Sequence, residues 1–180
     1  MADADREKWN ARYGEEAAML EPSPFLAQLS EVLPRHGRAL DVAGGAGRNA
    51  RWLSRHGLSV TVADISDVGL ARAARDGFAT VVVDFDVDPL PEGPWDVIFV
   101  NHFLHRPLFA QAPSRLTPGG LFVVAHPTVT NLERNPHPGR KFLLEPGELR
   151  ELARGLVIVS FDEGWRENGW HEARLVARRP

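Results

Sequence analysis

An α/β fold built on a seven-stranded, mainly parallel sheet is predicted from three features of the 180-residue chain. Short apolar runs alternate with helical patterns, which is the order of elements in proteins with parallel sheets. Glycines separate these elements, and three of them crowd the turn after the first apolar run. The last two apolar runs indicate an antiparallel hairpin. We therefore expect helices on both faces of the sheet and a hairpin at the C-terminus.

The predicted elements follow one another in a single domain that spans residues 1–180. Residues 1–36 form an N-terminal segment with helical patterning, which Pro22 and Pro24 interrupt. Strands are predicted at residues 39–42, 59–63, 79–83, 96–100, 121–126, 156–162 and 171–178. Helices are predicted at residues 48–56, 67–76 and 107–116, with one more that opens at residues 145–146. Residues 127–144 form a predicted loop over the carboxyl edge of the sheet.

Composition narrows the class of protein. Hydrophobic residues make up 43% of the chain and charged residues 25%, as in ordinary globular domains. The net charge of −3 disfavours a protein that binds nucleic acid through its phosphates. The absence of cysteine excludes disulfides, thiolate nucleophiles and cysteine zinc sites. No apolar run has the length of a membrane span and the N-terminus does not resemble a signal peptide, so we expect a cytoplasmic protein without a membrane partner.

The turn after the first predicted strand carries the strongest functional signal. An apolar run ends in Asp41, a turn with Gly44, Gly45 and Gly47 follows, and a second apolar run ends in Asp64. Glycines let backbone N–H groups approach a ligand, and the helix that begins after them points its free N–H groups the same way. A carboxylate at the end of the second strand suits the hydroxyls of a ribose. Asp41 would repel a pyrophosphate, but it suits a nucleoside cofactor that carries an ammonium group.

Structural roles stay open for these acids. Asp64 is also placed to cap the following helix. Asp41 needs hydrogen-bond donors if it is buried, and the N–H groups of the glycine turn are within its reach. Asp84, Asp86 and Asp88 alternate as in a calcium loop, but no glycine or distal glutamate completes that pattern. We therefore expect no metal site.

These residues resemble the class I S-adenosylmethionine-dependent methyltransferases. The first motif of that family, acid-x-Gly-x-Gly-x-Gly, corresponds to Asp41-Val42-Ala43-Gly44-Gly45-Ala46-Gly47, with Ala43 in place of the first glycine. Later signatures correspond to Asp84-Phe85 after the third strand and to Leu116-Thr117-Pro118-Gly119-Gly120 before the fifth. The tellurite-resistance-protein-like methyltransferases come closest, through Trp9, Arg12-Tyr13, Gly47-Arg48-Asn49, Leu104-His105-Arg106 and the run from Phe142 to Leu149.

The resemblance implies a Rossmann-like fold, S-adenosylmethionine as cofactor and S-adenosylhomocysteine as product. It assigns the ribose to Asp64, and the adenine to Asp84 with a contact from Phe85. The complete set of predicted cofactor-binding residues is Asp41, Ala43, Gly44, Gly45, Gly47, Arg48, Asn49, Asp64, Ile65, Asp84, Phe85 and Asn101.

Two histidines that follow the fourth predicted strand are candidate catalytic residues. The carboxyl end of that strand faces the cofactor in an open α/β sheet, and the neutral imidazole of His102 or His105 suits a general base. Two alternatives stay open: His105 is also placed to cap a helix, and the spacing of the two rings also suits a shared metal ion.

Tyr13 and Arg140 complete the predicted catalytic set. Tyr13 belongs to the N-terminal segment, residues 1–36, which in methyltransferases of this kind often closes over the cofactor. The alternative is a helix that packs on the sheet through its aromatic residues. Arg140 lies in residues 127–144, a basic stretch that suits an active-site loop for an anionic substrate. An ordinary solvated loop is the alternative there.

The predicted function is in-line transfer of a methyl group to a small-molecule acceptor, such as a thiol or a chalcogen oxyanion. A nitrogen or oxygen acceptor would need its proton removed, whereas a soft nucleophile needs little help from a base. The main alternative is a non-catalytic domain that binds S-adenosylmethionine and acts through a protein partner. Asp41 disfavours a nucleotide-dependent oxidoreductase, and the net charge of −3 disfavours a nucleic-acid methyltransferase. We expect a monomer or a homodimer.

Overall fold

A seven-stranded mixed sheet organises the computed structural model, which describes residues 2–15 and 21–180. The strands are β1 (Arg38–Val42), β2 (Ser59–Asp64), β3 (Ala79–Val82), β4 (Trp95–Asn101), β5 (Leu116–Pro127), β6 (Val157–Trp165) and β7 (His171–Arg178). They lie in the order β3-β2-β1-β4-β5-β7-β6. β1 to β5 pair in parallel, whereas β7 is antiparallel to both β5 and β6. The predicted mainly parallel sheet with a C-terminal hairpin is confirmed.

Helices pack against both faces of the sheet. They are α1 (Ala2–Glu15), α2 (Pro24–Gln28), α3 (Arg48–Arg55), α4 (Asp67–Arg75), α5 (Arg106–Phe109), α6 (Ala112–Arg115) and α7 (Glu148–Leu152), with 3-10 turns at Val129–Glu133 and Arg140–Phe142. Neighbouring residues of a strand point to opposite faces, so each face has its own apolar core. On β4, Phe99 belongs to the core beneath α2, α3 and α4, and Ile98 belongs to the core beneath α5, α6 and α7. A strand covered on both faces is an unbroken apolar run, which is why this one was recognisable.

The helix predicted at residues 107–116 is wrong as one element, because the structure has two short helices there, α5 and α6. A proline is accepted in the first turn of a helix, but it interrupts a helix interior because it has no N–H and its ring clashes with a preceding carbonyl. Pro113 lies in the first turn of α6, so the chain ends one helix and begins another.

The fifth strand begins five residues earlier than the sequence indicates. Its pairing with β4 jumps from Trp95 opposite Leu116 to Val97 opposite Leu121, so residues 117–120 bulge out of the ladder. This bulge occupies the place of the predicted turn, and Gly119 supplies its positive φ of 79°.

The topology brings polar side chains to one edge of the sheet. The chain moves outward from β1 to β2 and β3, then crosses back to β4 on the other side of β1. Ligands of open α/β sheets bind where the strand order reverses in this way, at the carboxyl ends of the strands. β7 begins at the same edge because it is antiparallel, with Glu172 opposite Pro127 of β5. Within the described ranges, no helix has the length and apolarity needed to span a membrane.

Candidate active site

The glycine turn between β1 and α3 is held against β2 by backbone hydrogen bonds. The N–H of Gly44 donates to the carbonyl of Ala63 at 3.2 Å, and the N–H of Gly47 donates to the carbonyl of Gly44 at 2.9 Å. Gly45 has a φ of 53° and Gly47 a φ of 78°, the left-handed region that favours glycine. The turn therefore has one defined conformation at the end of β1.

Asp64 ties this turn to the start of α4. One carboxylate oxygen accepts from the N–H of Gly45 and the other from the N–H of Ser66, both at 2.8 Å. Burial raises the pKa of Asp64, and its backbone hydrogen bonds oppose that rise. The helix cap is a different residue, because the N–H of Gly69 donates to the Ser66 hydroxyl at 3.0 Å. Asp64 is therefore not the N-cap of α4, and its carboxylate contacts the glycine turn.

Asp41 is a buried carboxylate without a donor. Its side chain is 1% exposed, and neither oxygen has a hydrogen-bond partner among residues 2–15 and 21–180. Burial raises the pKa of Asp41 to about 7, and the charge of Asp64 adds to the rise. The charge of Arg48 and the backbone N–H of Ala50 oppose it, although that N–H makes no hydrogen bond of normal geometry to either oxygen. A Cβ atom at Gly44 would approach the carboxylate to 2.7 Å, so the turn and the acid are in direct contact.

This arrangement fits the cofactor that the sequence implies. Buried polar groups are almost always hydrogen-bonded, so an unpartnered carboxylate beside a glycine turn points to a ligand that brings the donors. The ammonium group of S-adenosylmethionine is such a donor. A pyrophosphate would instead place negative charge against Asp41.

Ala43 occupies the position of the first glycine in the family motif, and its backbone is strained there. Its φ is 52°, a left-handed conformation that costs an L-residue roughly 1–2 kcal/mol. We expect Ala43→Gly to raise the melting temperature, because relief of this strain exceeds the extra flexibility of glycine in the unfolded chain. Ala46→Gly, in the same turn, lacks the positive φ and is expected to lower it. Thermal unfolding of both variants checks the prediction, and a drop for Ala43→Gly would contradict it.

Helix α1 docks beside Asp64 through Asn10. The Asn10 carbonyl oxygen accepts from the Ser66 hydroxyl at 2.6 Å, and its amide donates to the Asp67 carboxylate at 2.6 Å. This contact carries Tyr13 onto the glycine turn, where a Cβ atom at Gly45 would overlap its hydroxyl. Part of the N-terminal segment predicted at residues 1–36 therefore lies against the turn. Residues 16–20 of that segment lie outside the described residues.

Two predicted cofactor-binding residues make contacts that sequence reasoning missed. The side-chain oxygen of Asn49 accepts from the N–H of Ser23 at 2.9 Å, and Asn49 is 4% exposed. The guanidinium of Arg48 donates to the carbonyl of Glu21 at 3.5 Å. Both side chains hold the segment before α2 against the start of α3, and their predicted contact with a cofactor stays a prediction.

The remaining predicted cofactor residues surround the turn at the same edge. Asp84 accepts from the N–H of Asp86 at 3.1 Å, which shapes the loop after β3, and Phe85 is buried there against Phe103. Ile65 is half-buried directly after β2. Asn101 ends β4, and its side-chain oxygen is buried without a partner in the described part of the chain.

The two candidate histidines face different partners. The ring of His102 bonds through Nε2 to a carboxylate oxygen of Glu172 at 2.7 Å, whereas Nδ1 of His105 lies 3.3 Å from Asp86. His105 holds the N-cap position of α5, but its side chain makes no capping hydrogen bond. No group of three or more metal-ligating side chains occurs within residues 2–15 and 21–180.

Arg140 lies on the second 3-10 turn and pairs with Glu145 at 2.8 Å, with about two thirds of its side chain exposed. The same turn reaches the end of β5, because Nε2 of His126 donates to the carbonyl of Phe142 at 2.8 Å. Burial lowers the pKa of His126 to about 4, against the effect of that bond, so this ring is neutral. This bond holds the loop of residues 127–144 against the end of β5, and its role as an active-site loop stays a prediction.

Glu172 and Arg174, which adjoin His102, were not recognised from the sequence. Both lie in the first half of β7, which reaches this edge of the sheet through antiparallel pairing with β5. A signal was present: two charged residues at alternate positions on one face of an otherwise apolar strand predict a buried polar pair.

Comparisons with known proteins identify the family of the chain. A family model described as a methyltransferase domain matches residues 13–148. A ribosomal RNA small subunit methyltransferase C from Alcanivorax borkumensis is 32% identical over 123 residues, which cover 59% of this chain. The chain spans only 38% of the length of that relative.

Solved structures share the fold. TehB from Haemophilus influenzae superposes with a TM-score of 0.71 at 19% identity, over 97% of this chain and 67% of that one. The 1,6-didemethyltoxoflavin-N1-methyltransferase from Burkholderia thailandensis, solved with bound 1,6-didemethyltoxoflavin and S-adenosylhomocysteine, gives a TM-score of 0.67 at 23% identity, over 98% of this chain and 84% of that one. The predicted Rossmann-like fold and the methyltransferase resemblance are confirmed. The chain therefore belongs to the methyltransferase-domain family, the S-adenosylmethionine-dependent enzymes of class I.

Proposed function

We propose that this protein transfers a methyl group from S-adenosylmethionine to a small-molecule acceptor by in-line displacement, at the sheet edge between the glycine turn and His102. The buried carboxylate of Asp41 supports this most strongly, because neither of its oxygens has a hydrogen-bond partner in the described part of the chain. An ammonium group next to the turn would supply one.

In this proposal the cofactor lies across the carboxyl ends of β1, β2 and β3. Asp41 accepts from its ammonium group, and Asp64 accepts from its ribose hydroxyls while it holds Gly45. The adenine lies between Ile65 and the loop that begins at Asp84. These positions follow the strand order, because the ends of β1 and β2 are neighbours in the sheet.

The bound cofactor supplies a methyl group on a sulfonium, which is already activated for attack. The protein therefore contributes alignment and exclusion of water. Tyr13 and α1 cover the glycine turn on one side, and Phe85 with Phe103 forms an apolar wall after β3 and β4. The acceptor enters from the side of His102 and residues 127–144.

Closure by the N-terminal segment depends in this proposal on Asn10. Asn10→Ala removes its bonds to Ser66 and Asp67, so we expect faster amide exchange in α1 and roughly tenfold weaker binding of S-adenosylhomocysteine. Glu7→Ala is the matched control, because Glu7 is exposed on the same helix. Equal exchange rates in Asn10→Ala and the wild type would show that these bonds do not hold α1.

The acceptor is proposed to be a small thiol, a chalcogen oxyanion or a related nucleophile. A screen with radiolabelled S-adenosylmethionine tests this with benzyl mercaptan, phenol, aniline, selenite and ribosomal RNA. We expect label in a small molecule and none in RNA, in keeping with the net charge of −3. Label found in RNA alone would overturn the small-molecule proposal.

The second candidate is a non-catalytic domain that binds the cofactor and acts through a protein partner. Tight binding of S-adenosylmethionine without turnover on any acceptor would favour it. A cytoplasmic location and a monomeric or dimeric state stay predictions from the sequence.

A further inference from the structure

A buried ion pair on β7 adjoins the acceptor side of the site. Glu172 is 2% exposed and Arg174 is 7% exposed. One oxygen of Glu172 accepts from Nε and Nη2 of Arg174 at 3.1 and 3.0 Å, and Arg174 also donates to Gln28 at 3.1 Å. A buried ion pair adds little stability compared with apolar residues of the same volume, so its main effect is to fix the position of what it contacts.

The other oxygen of Glu172 is directed at His102. It lies 2.7 Å from Nε2 of the imidazole. The His102 backbone has a φ of 56°, a strained conformation for a residue other than glycine, and its N–H donates to the carbonyl of Ala125 at 2.9 Å. Strain of this kind persists where surrounding contacts over-determine it, and it is concentrated at functional sites.

The contact with Glu172 selects one tautomer of the imidazole. Burial acts to raise the pKa of Glu172, but the hydrogen bonds from His102 and Arg174 and the charge of Arg174 oppose it, and the pKa is lowered. An ionised carboxylate only accepts hydrogen bonds, so Nε2 of His102 carries the proton. In the neutral form of the ring, Nδ1 then keeps its lone pair, and no residue in the described ranges hydrogen-bonds to it.

The ring of His102 is partly open to solvent. The His102 side chain is one third exposed, and the rings of Trp170 and His126 lie 5.5 and 6.5 Å away. The other charged group near Glu172 is Arg166, which donates to the Glu172 carbonyl at 2.9 Å. His102 directly follows Asn101 at the switch point, beside the end of β1.

We propose that Glu172 is a positioning residue that holds His102 as a general base with Nδ1 free, and that the methyl acceptor is a nitrogen or oxygen nucleophile that carries a proton, such as an amine or hydroxyl. This inference rests on the proposed function. It narrows the acceptor class and disfavours a chalcogen oxyanion, which has no need of a base.

The proposed step is balanced in atoms and charge. The acceptor heteroatom forms a bond to the methyl carbon, and the electron pair of the broken carbon–sulfur bond stays on sulfur. The proton of the acceptor moves to Nδ1 of His102, and Glu172 stabilises the resulting imidazolium. The exposed side of the ring then releases the proton to solvent.

The test combines a spectroscopic readout with turnover. Nitrogen chemical shifts of the His102 ring report its tautomer, and the His102→Gln variant assigns the signals. The shifts are compared among the wild type, Glu172→Gln, Glu172→Asp and a control variant, Glu167→Gln. Glu167 lies in the exposed turn between β6 and β7. We expect the Nε2–H tautomer in the wild type and in the control, its partial recovery in Glu172→Asp, and a mixture in Glu172→Gln. A wild-type His102 ring whose single proton is on Nδ1 would overturn the inference, whatever the variants show.

Binding and turnover separate this inference from the proposed function. Calorimetry with S-adenosylhomocysteine should show equal affinity for the wild type and Glu172→Gln, and absence of binding to the wild type would sink the proposed function itself. With phenol as acceptor, we expect Glu172→Gln to lower kcat about 100-fold with little change in KM for the cofactor. Unchanged kcat in Glu172→Gln, or selenite as the preferred acceptor, would overturn the inference.

Discussion

Replacement of Asp64 by alanine is expected to weaken S-adenosylmethionine binding by about 100-fold or more. Asp64 holds the N–H groups of Gly45 and Ser66 and is proposed to accept from the ribose. Hydrogen bonds to a charged group contribute about 1.5–3 kcal/mol each, so loss of two amounts to about 3 kcal/mol, or a factor of at least 100 in affinity. Isothermal titration of the folded variant with S-adenosylmethionine measures this loss.

Two further variants test whether the loss of affinity is specific to the carboxylate of Asp64. Asp64→Asn keeps the shape and one acceptor oxygen, and we expect an affinity between those of the wild type and the alanine variant. Asp76→Ala removes an acid from the opposite end of α4, where it pairs with Arg51, and we expect affinity close to that of the wild type. An Asp64→Ala protein that stays folded and binds within threefold of the wild type would refute the ribose role.

Asp41→Asn is expected to change stability and cofactor affinity in opposite directions. The pKa of Asp41 is about 7 in the folded protein and 3.8 for an unperturbed aspartate, so the folded state binds more protons between these pH values. Stability of the wild type therefore falls as pH rises from about 4 to about 7, by a contribution on the order of 4 kcal/mol. Asparagine does not ionise, so the variant lacks this fall.

Thermal unfolding across that pH range measures the first effect. We expect the stability of Asp41→Asn relative to the wild type to increase from pH 4 to pH 8. Affinity for S-adenosylmethionine should fall at least about tenfold at pH 8, because the ammonium group loses a charged partner. Asp76→Asn, which also replaces an aspartate by asparagine, is the matched control variant. A constant stability difference from pH 4 to pH 8 would show that the Asp41 carboxylate is not buried as the structure places it.

The cofactor side of the site was predictable because its signals are local. Strands buried on both faces are unbroken apolar runs, and the acids that end β1 and β2 stand next to those runs in the sequence. The glycines of the turn are adjacent to Asp41. The sheet order then brings Asp41 and Asp64 together without any further information.

The acceptor side was only partly predictable because its contacts are long-range. His102 was recognised from its place after β4, but Glu172 is 70 residues further along the chain. Their contact depends on the register of β7 against β5, which a strand pattern does not specify. The docking of Tyr13 on Gly45 has the same cause, because Asn10 of α1 bonds to residues at the start of α4.

Calorimetry with S-adenosylhomocysteine near pH 6, in two buffers with different ionisation enthalpies, tests the proposed cofactor site most directly. Asp41 is mostly protonated in the free protein at that pH, and an ammonium partner requires its ionised form. We expect binding that releases about one proton in the wild type and almost none in Asp41→Asn. Absence of binding, or binding with the same proton exchange in both proteins, would contradict the pairing of Asp41 with the ammonium group.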